Sequence, residues 1–420
     1  MGEAGRAHLE ADLAVVGAGP AGIAAAVAAR EAGRRVVVLD ESPRAGGQIW
    51  RHTSPEKLPR AARRWLARLE RSGARVLHGG SVVDAREGFE LTLQHPEVST
   101  VSAETVVLAT GARELFLPFP GWTLPNVLGV GGAQALLKQG ADFRGKRVVI
   151  SGSGPLLLPV AAALAKGGAR VLMVAEQAPA ARVLRFASSL WRSPERMAQA
   201  ARARLAFRGT PYLLGTWVTR AEGDSAVRAA TLTDGRRSWT EACDLLCAGW
   251  GLVPDVRLAT LLGCEIERGR VRVDGWQETT REGVFCAGEP TGVGGVEAAL
   301  LEGEIAGFAA VGQRYRAARF VAARDRDRAF AARMERAFAP REELRHLPEP
   351  DTVVCRCEDV PLGALSPEWS ARQGKLYTRA GMGPCQGRIC GPALECLFGW
   401  EDQSVRSPVV NATVDTLLQH

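Results

Sequence analysis

The most constraining feature of this chain is a strand–helix–strand pattern in its first 40 residues. The apolar run 11–16 predicts a buried parallel strand, and the sequence Gly17-Ala18-Gly19-Pro20-Ala21-Gly22 follows it directly. A helix is predicted for 20–32, and a second strand, 35–39, ends at Asp40. The first glycine permits the tight turn, the second lets the backbone approach a pyrophosphate, and the third lets the helix pack on the strand. The pattern predicts a dinucleotide-binding fold of the α/β class.

The polar groups of this loop indicate where a dinucleotide would bind. The N-terminus of the predicted helix carries partial positive charge, which favours phosphate groups. We therefore expect a pyrophosphate to lie against Gly17, Gly19, Pro20, Ala21 and Gly22. Asp40, or Glu41 beside it, is expected to accept hydrogen bonds from a ribose diol.

Three other segments favour FAD as the dinucleotide. Residues 40–50 resemble the acid-then-Gly-Gly pattern of flavoproteins that have two dinucleotide-binding domains, and 105–112 predicts a strand that ends in Ala-Thr-Gly. In 283–289 that family commonly has Gly-Asp against the ribityl chain, whereas this chain has Gly288-Glu289, a longer carboxylate that leaves the geometry open. The other expected FAD contacts are Gly47, Gln48, Val83, Ala109, Thr110 and Gly111. The alternative is a Rossmann-like fold that holds no flavin.

A second strand–helix–strand pattern starts at Lys146. Its loop keeps Gly152 and Gly154, but Leu157 stands where a third glycine would let the helix pack closely on the strand. Such flavoproteins usually bind NAD(P)H here, so the damaged fingerprint favours a retained scaffold over a nicotinamide site. If a nucleotide did bind, Glu176 would favour NADH by repelling the 2′-phosphate of NADPH.

Four cysteines near the C-terminus predict a metal centre. Cys355, Cys357, Cys385 and Cys390 form a C-x-C pair and a C-x4-C pair. Glycines around the second pair let backbone N–H groups approach sulfur, and such hydrogen bonds tune a [2Fe–2S] cluster. Structural zinc is an alternative, although zinc sites typically use C-x2–4-C pairs at both ends. The other alternative is no metal.

Composition and charge limit the kinds of partner that the chain is expected to bind. The chain has 420 residues, is 46% hydrophobic and 24% charged, and carries a formal charge of +7. Arginines concentrate in 314–345, where we expect either a solvated helical linker or a docking face for an acidic partner. No basic stripe interleaved with aromatic residues is present, so nucleic acid is not an expected partner.

The lengths of the apolar runs in the sequence indicate the expected cellular compartment of the protein. None reaches the roughly 18–20 residues that a membrane-spanning helix needs, and we expect no signal peptide. The expected compartment is therefore the cytoplasm, with peripheral attachment to the inner membrane left open. In a reducing compartment, clustered cysteines are typical of metal ligands and not of disulfides.

The sequence carries no recognisable substrate chemistry. Flavin disulfide reductases need a redox-active cysteine pair, but 46–66 and 140–242 contain no cysteine. His52 follows the Gly-Gly segment and could lie near the flavin ring, although a structural role is the more common one. We therefore assign no catalytic residue.

These segments together resemble one group of proteins. Residues 46–50, 109–115 and 152–159, with Cys355-Arg-Cys-Glu and the Cys385/Cys390 segment, are similar to the FAD-binding α subunits of heteromeric amino-acid dehydrogenases. That group includes opine oxidases, D-hydroxyproline dehydrogenase and bacterial hydrogen cyanide synthase. The C-terminal part resembles bacterioferritin-associated-ferredoxin-like [2Fe–2S] domains.

The resemblance implies a fold, cofactors and partners. The fold is that of pyridine nucleotide-disulfide reductase-like flavoproteins, with two Rossmann-like dinucleotide-binding domains and a small helical [2Fe–2S] domain. The cofactors are FAD, a [2Fe–2S] cluster on the four cysteines and, in some members, FMN at a subunit interface. A D-amino-acid-oxidase-like flavoprotein β subunit would oxidise the amine, and a quinone or carrier protein would accept electrons.

The expected domain division follows the motifs. It gives an FAD domain at 1–125 and 250–315, a second dinucleotide domain at 126–249, an Arg-rich helical linker at 316–350 and a [2Fe–2S] domain at 351–420. The leading hypothesis is an electron-relay subunit of a dehydrogenase for an opine, D-hydroxyproline, proline or glycine-type amino acid. The alternatives are a self-contained NADH-dependent flavin and iron–sulfur reductase and a scaffold with a redox-idle flavin.

Overall fold

The computed structural model describes residues 6–401 and 405–418. The chain forms two compact units. Unit 1 contains the described residues of 1–113, 253–331 and 403–420, and unit 2 those of 114–252 and 332–402. The four-part division expected from the sequence stays a prediction.

The described residues form strands and helices in alternation along most of the chain. The strands are β1 (Ala7–Val16), β2 (Val36–Asp40), β3 (Arg75–His78), β4 (Ser81–Arg86), β5 (Glu90–Gln94), β6 (Val98–Leu108), β7 (Ala112–Glu114), β8 (Val127–Gly129), β9 (Arg147–Gly152), β10 (Arg170–Glu176), β11 (Tyr212–Leu214), β12 (Trp217–Glu222), β13 (Ala229–Thr233), β14 (Ser238–Ala242), β15 (Leu245–Gly249), β16 (Leu252–Pro254), β17 (Ile266–Glu267), β18 (Arg270–Val271), β19 (Val284–Cys286), β20 (Val353–Cys355) and β21 (Val360–Pro361). The helices are α1 (Pro20–Glu31), α2 (Arg60–Ser72), α3 (Val130–Lys138), α4 (Leu157–Lys166), α5 (Ala180–Ser189), α6 (Pro194–Leu205), α7 (Arg257–Leu261), α8 (Val296–Ala310), α9 (Arg314–Phe338), α10 (Ala371–Thr378), α11 (Cys390–Phe398) and α12 (Val414–Leu418).

Unit 1 is built on a seven-stranded sheet of order β3-β2-β1-β6-β5-β4, with β19 also paired to β6. Strand β1 is parallel to both β2 and β6, so that Val15 lies opposite Val38 and Val107. All five residues of β2 are buried, as expected for a parallel strand that is covered on both faces. Helices α1, α2 and α8 contribute to the apolar core on one face of this sheet.

Unit 2 has a parallel five-stranded sheet of order β11-β10-β9-β15-β8. An antiparallel three-stranded sheet, β12-β13-β14, confirms the small meander that the alternation in 216–240 predicts. Both units therefore contain parallel strands of Rossmann type, which β5 and β4 extend in antiparallel pairing in unit 1, and this confirms the expected α/β class.

The cysteine-rich segment of unit 2 has a small core of its own. Val354, Leu365, Leu394 and Trp400 are buried in one apolar cluster. Helix α10 starts with a capping box between Ser370 and Gln373, in which each side chain bonds the backbone N–H of the other residue. This segment is short and helical, as expected.

Residues 314–338 of the Arg-rich stretch form one helix, α9, and part of it is buried. Arg324 is 3% exposed, and its guanidinium donates to Gln277 Oε1 at 2.6 Å and to the Gly275 carbonyl at 3.1 Å. Arg328 Nε donates to Glu302 Oε1 at 2.9 Å. The expectation of a solvated helical face is therefore wrong at Arg324 and Arg328, because the loop at 275–277 binds Arg324 and helix α8 binds Arg328 through Glu302.

No helix among the described residues is both long and apolar enough to cross a membrane.

We predict that Arg324→Ala lowers the free energy of unfolding by about 1.5–3 kcal/mol, because it removes the buried guanidinium that donates to the Gly275 carbonyl and shares the buried Gln277 Oε1 with Arg328. The matched control is Arg326→Ala, an exposed arginine on the same helix, which should change stability by less than about 0.5 kcal/mol. Urea unfolding measures both. Equal midpoints for the two variants would contradict the prediction.

Candidate functional site

The first dinucleotide loop forms an open cradle at the N-terminus of α1. Gly19 caps the helix in an extended conformation, the cap has no side-chain hydrogen bond, and the first turn has no acidic residue. A Cβ on Gly47 would lie 2.9 Å from the Cα of Gly19, so the two glycines bring two backbone segments together over the loop. Because the helix dipole and backbone N–H groups face this cradle, it suits a pyrophosphate.

Asp40 lies at the carboxyl end of β2, but its carboxylate is already bonded. One oxygen accepts the backbone N–H of Ala18, and the other accepts that of Ser42 at 2.8 Å. Asp40 is 8% exposed, whereas Glu41 beside it is exposed. Asp40 therefore holds the fingerprint loop in place, and Glu41 is the carboxylate of this pair that faces solvent; the ribose contact stays a prediction.

The Ala-Thr-Gly turn and the Gly288 turn lie at the ends of two neighbouring parallel strands, β6 and β19. Thr110 Oγ1 donates to the Asp255 carbonyl at 2.6 Å, and the Asp255 N–H donates to the Gly111 carbonyl at 2.9 Å. The Gly288 N–H donates to Glu302 Oε2 at 2.8 Å. Glu302, which the sequence analysis missed, therefore positions the turn that carries Glu289.

Glu289 is partly buried, and one of its carboxylate oxygens is buried and unpaired. Its Oε1 accepts the Gly295 N–H at 3.1 Å, while Oε2 has no hydrogen-bond partner among the described residues. Burial raises the pKa of this carboxyl to about 7, against the opposing effect of the Gly295 N–H. A buried acceptor without a donor is expected where a ligand hydroxyl supplies the missing bond.

These features fit FAD. The glycine cradle suits the pyrophosphate, and Glu289 offers an acceptor on the side where the sequence analysis expects the ribityl chain. Of the other expected FAD contacts, Ala109 is buried at the end of β6, and Gln48 lies at the surface beside Gly47.

Val83, also an expected FAD contact, lies in β4 and is fully buried. Its carbonyl accepts the Val409 N–H at 2.9 Å.

The second fingerprint loop has its polar groups paired within the protein. Gly152 packs against β15, since a Cβ there would lie 1.9 Å from the Gly249 carbonyl oxygen. The Gly154 N–H donates to Glu176 Oε2 at 2.7 Å. Glu176 is fully buried, and that burial raises its pKa to about 7. This carboxylate therefore does not face a ribose site.

The four candidate metal ligands lie in two neighbouring pairs. The Cys390 thiol and the Gly381 N–H, 3.5 Å from Cys355 Sγ, lower the pKa of Cys355 to about 5. The backbone N–H of Cys385 favours the Cys357 thiolate, but burial and the Cys385 thiol outweigh it and raise the pKa of Cys357. Cys355 and Cys390 are buried, whereas Cys357 is exposed.

The geometry of a closed metal site is not present in the described ranges, 6–401 and 405–418. No group of three or more histidine, cysteine, aspartate or glutamate side chains there is arranged to hold a metal ion. The backbone at Gly383 nevertheless lies close to the Cys357 side chain, because a Cβ on Gly383 would lie 2.3 Å from the Cβ of Cys357. Thiols and glycine N–H groups are the kinds of groups that hold an iron–sulfur cluster. The cluster itself stays a prediction.

Comparison with known proteins identifies similar chains. Residues 11–303 match the model of the pyridine nucleotide-disulphide oxidoreductase family. The chain is 30% identical to an opine oxidase subunit of Agrobacterium tumefaciens (strain Ach5), over 94% of this chain and 86% of that protein. It is 32% identical to the hydrogen cyanide synthase subunit HcnB of Pseudomonas aeruginosa, over 90% of each chain.

One solved structure is similar along nearly the whole chain. L-proline dehydrogenase from P. horikoshii matches with a TM-score of 0.68 and 21% identity, over 99% of this chain and 81% of that chain. At this identity the likeness shows the fold alone.

We predict that Glu289→Gln stabilises flavin-free protein at pH 7.5 by about 2–3 kcal/mol relative to wild type, and that the difference disappears near pH 4.5. The folded pKa of Glu289 lies above the ordinary value, so its unfavourable contribution grows as pH rises from about 4.5 to about 7. Urea unfolding across this pH range measures the difference. Glu87→Gln, at an exposed glutamate, is the control and should show no such pH-dependent gain.

Proposed function

Because the chain belongs to the pyridine nucleotide-disulphide oxidoreductase family, we propose that it is the FAD-binding, electron-transferring subunit of a heteromeric dehydrogenase that oxidises an amino acid at its C–N bond. The observation that carries the proposal is the open glycine cradle at α1, with a buried and unpaired Glu289 oxygen, Oε2, in the same unit. Such a site has the groups that an FAD pyrophosphate and ribityl chain need.

The partner is proposed from the relatives. The opine oxidase and hydrogen cyanide synthase relatives are both named as subunits, and the similarity to each covers at least 90% of this chain. We expect the corresponding partner to be a D-amino-acid-oxidase-like flavoprotein that holds the amino acid. The substrate would be an opine, D-hydroxyproline, proline or a glycine-type compound.

The residues of this chain would bind and orient the cofactors. Gly17, Gly19 and Gly47 would leave room for the pyrophosphate, and Glu302 fixes the turn that carries Glu289. Cys355, Cys357, Cys385 and Cys390 would hold the [2Fe–2S] cluster, with the Gly381 N–H directed at sulfur. When bound, the flavin and the cluster would supply the redox chemistry that carries electrons from the partner toward a quinone or carrier protein.

We predict that the purified chain, kept anaerobic, retains its flavin absorbance when NADH is added. The absorbance should bleach when the partner flavoprotein and its amino acid are added together, because the electrons enter through the partner. Stopped-flow absorbance spectroscopy measures both. Bleaching by NADH alone would instead support a self-contained reductase, and no bleaching under either condition would support a redox-idle scaffold.

We predict that Cys357→Ser abolishes the cluster, which in wild type should contain about two iron and two sulfide ions per chain. Cys357 is exposed, so its replacement should leave the fold intact. The matched control is Cys396→Ser, a partly buried cysteine in α11 outside the set of four. Iron and acid-labile sulfide assays on anaerobically purified protein measure the effect. Equal iron content in both variants would rule out Cys357 as a ligand.

A further inference from the structure

The segment 338–341 lies on the loop of the second dinucleotide fingerprint. Ser153 Oγ, in that loop, donates to the Phe338 carbonyl at 2.7 Å. Gln177, directly after β10, donates from Nε2 to the carbonyls of Phe338 at 3.3 Å and Ala339 at 3.2 Å. The carboxyl ends of β9 and β10 are where a Rossmann domain holds its dinucleotide. A piece of this chain therefore crosses that position.

Side chains hold the same segment on both sides. The Phe338 ring packs edge-on against Phe186, with ring centroids 5.5 Å apart. The Arg341 guanidinium lies 4.2 Å from the Trp217 ring centroid, and the Arg341 N–H donates to Gln177 Oε1 at 3.2 Å. Gln177 is fully buried and bonds this segment through both ends of its amide. The contact is therefore specific.

The groups that a nucleotide would need are used within the protein. In a working fingerprint, loop N–H groups face the pyrophosphate and the acid at the end of the second strand binds a ribose diol. Here the Gly154 N–H donates to Glu176, and the second oxygen of Glu176 accepts the Ala178 N–H at 2.8 Å. The pairing of Asp40 in unit 1 is the same, so this pairing alone does not distinguish the two loops. The distinguishing feature is the segment 338–341, which a dinucleotide would have to displace.

We infer that residues 338–341 occupy the nucleotide crevice of unit 2 and that this segment, held by Gln177 and Arg341, excludes NADH and NADPH as electron donors. Leu157 in the damaged fingerprint is consistent with the exclusion of NADH and NADPH. The segment 338–341, however, is what fills the crevice. The inference concerns a different site from the flavin cradle and does not rest on the proposed function.

The first test is binding by the purified wild-type chain. Calorimetric titration with NADH and with NADPH should show no saturable heat up to about 1 mM nucleotide. This result would mean that the dissociation constant is weaker than about 1 mM. Saturable binding with hydrogen-exchange protection at 152–156 would overturn the inference. Protection at 17–22 would instead show a nucleotide in the unit 1 loop, which would contradict the FAD proposal and leave the present inference standing.

The second test loosens the segment. In Gln177→Ala/Arg341→Ala, amide hydrogen exchange at 338–341 should become about tenfold faster or more, which corresponds to about 1.4 kcal/mol. The control is Gln139→Ala/Arg208→Ala, which makes the same two changes at exposed positions of unit 2. If the double variant does not fold, Gln177→Ala alone is measured. Exchange that is already as fast in wild type as in an exposed loop, or equal in both variants, would overturn the inference.

Discussion

Direct backbone contact at helix α1 is the constraint on which the flavin cradle depends. A Cβ on Gly22 would lie 1.7 Å from the carbonyl oxygen of Gly17, and one on Gly303 would lie 2.1 Å from that of Ala21. No side chain fits at either position, so glycine alone lets α1 pack against both its own entry turn and helix α8. Because these contacts fix where α1 begins, they also fix which N–H groups face the cradle.

Buried carboxylates then hold the turns that glycine makes possible. Asp40 accepts the Ala18 N–H, and Glu176 accepts the Gly154 N–H across the same sequence separation of 22 residues. Glu302 holds the Gly288 turn in the same way. The raised pKa of Glu176 shows that this arrangement has an electrostatic cost, which arises chiefly from burial. An acid at the end of the second strand is therefore not sufficient evidence for a ribose contact.

The sequence predicts the parts of this protein that depend on local patterns. The strand–turn–helix at 11–32 and the meander at 216–240 follow from periodicity and glycine spacing, and the structure confirms both. Charge pattern could not separate Arg324 from Arg326, because the burial of Arg324 depends on Gln277, which lies 47 residues away. Sequence separation also hid the contact between Ser153 and Phe338, which are 185 residues apart.

The two fingerprints show that a glycine-rich loop sequence does not by itself determine whether the loop binds a nucleotide. Both loops follow a buried parallel strand, and both are held by a carboxylate from the next strand. Both helices begin without a side-chain cap, and the difference is that the loop of unit 2 bonds the carbonyl of Phe338. A glycine loop can therefore be required for packing without binding a ligand, because the crowding at Gly152 demands glycine whether or not a nucleotide binds.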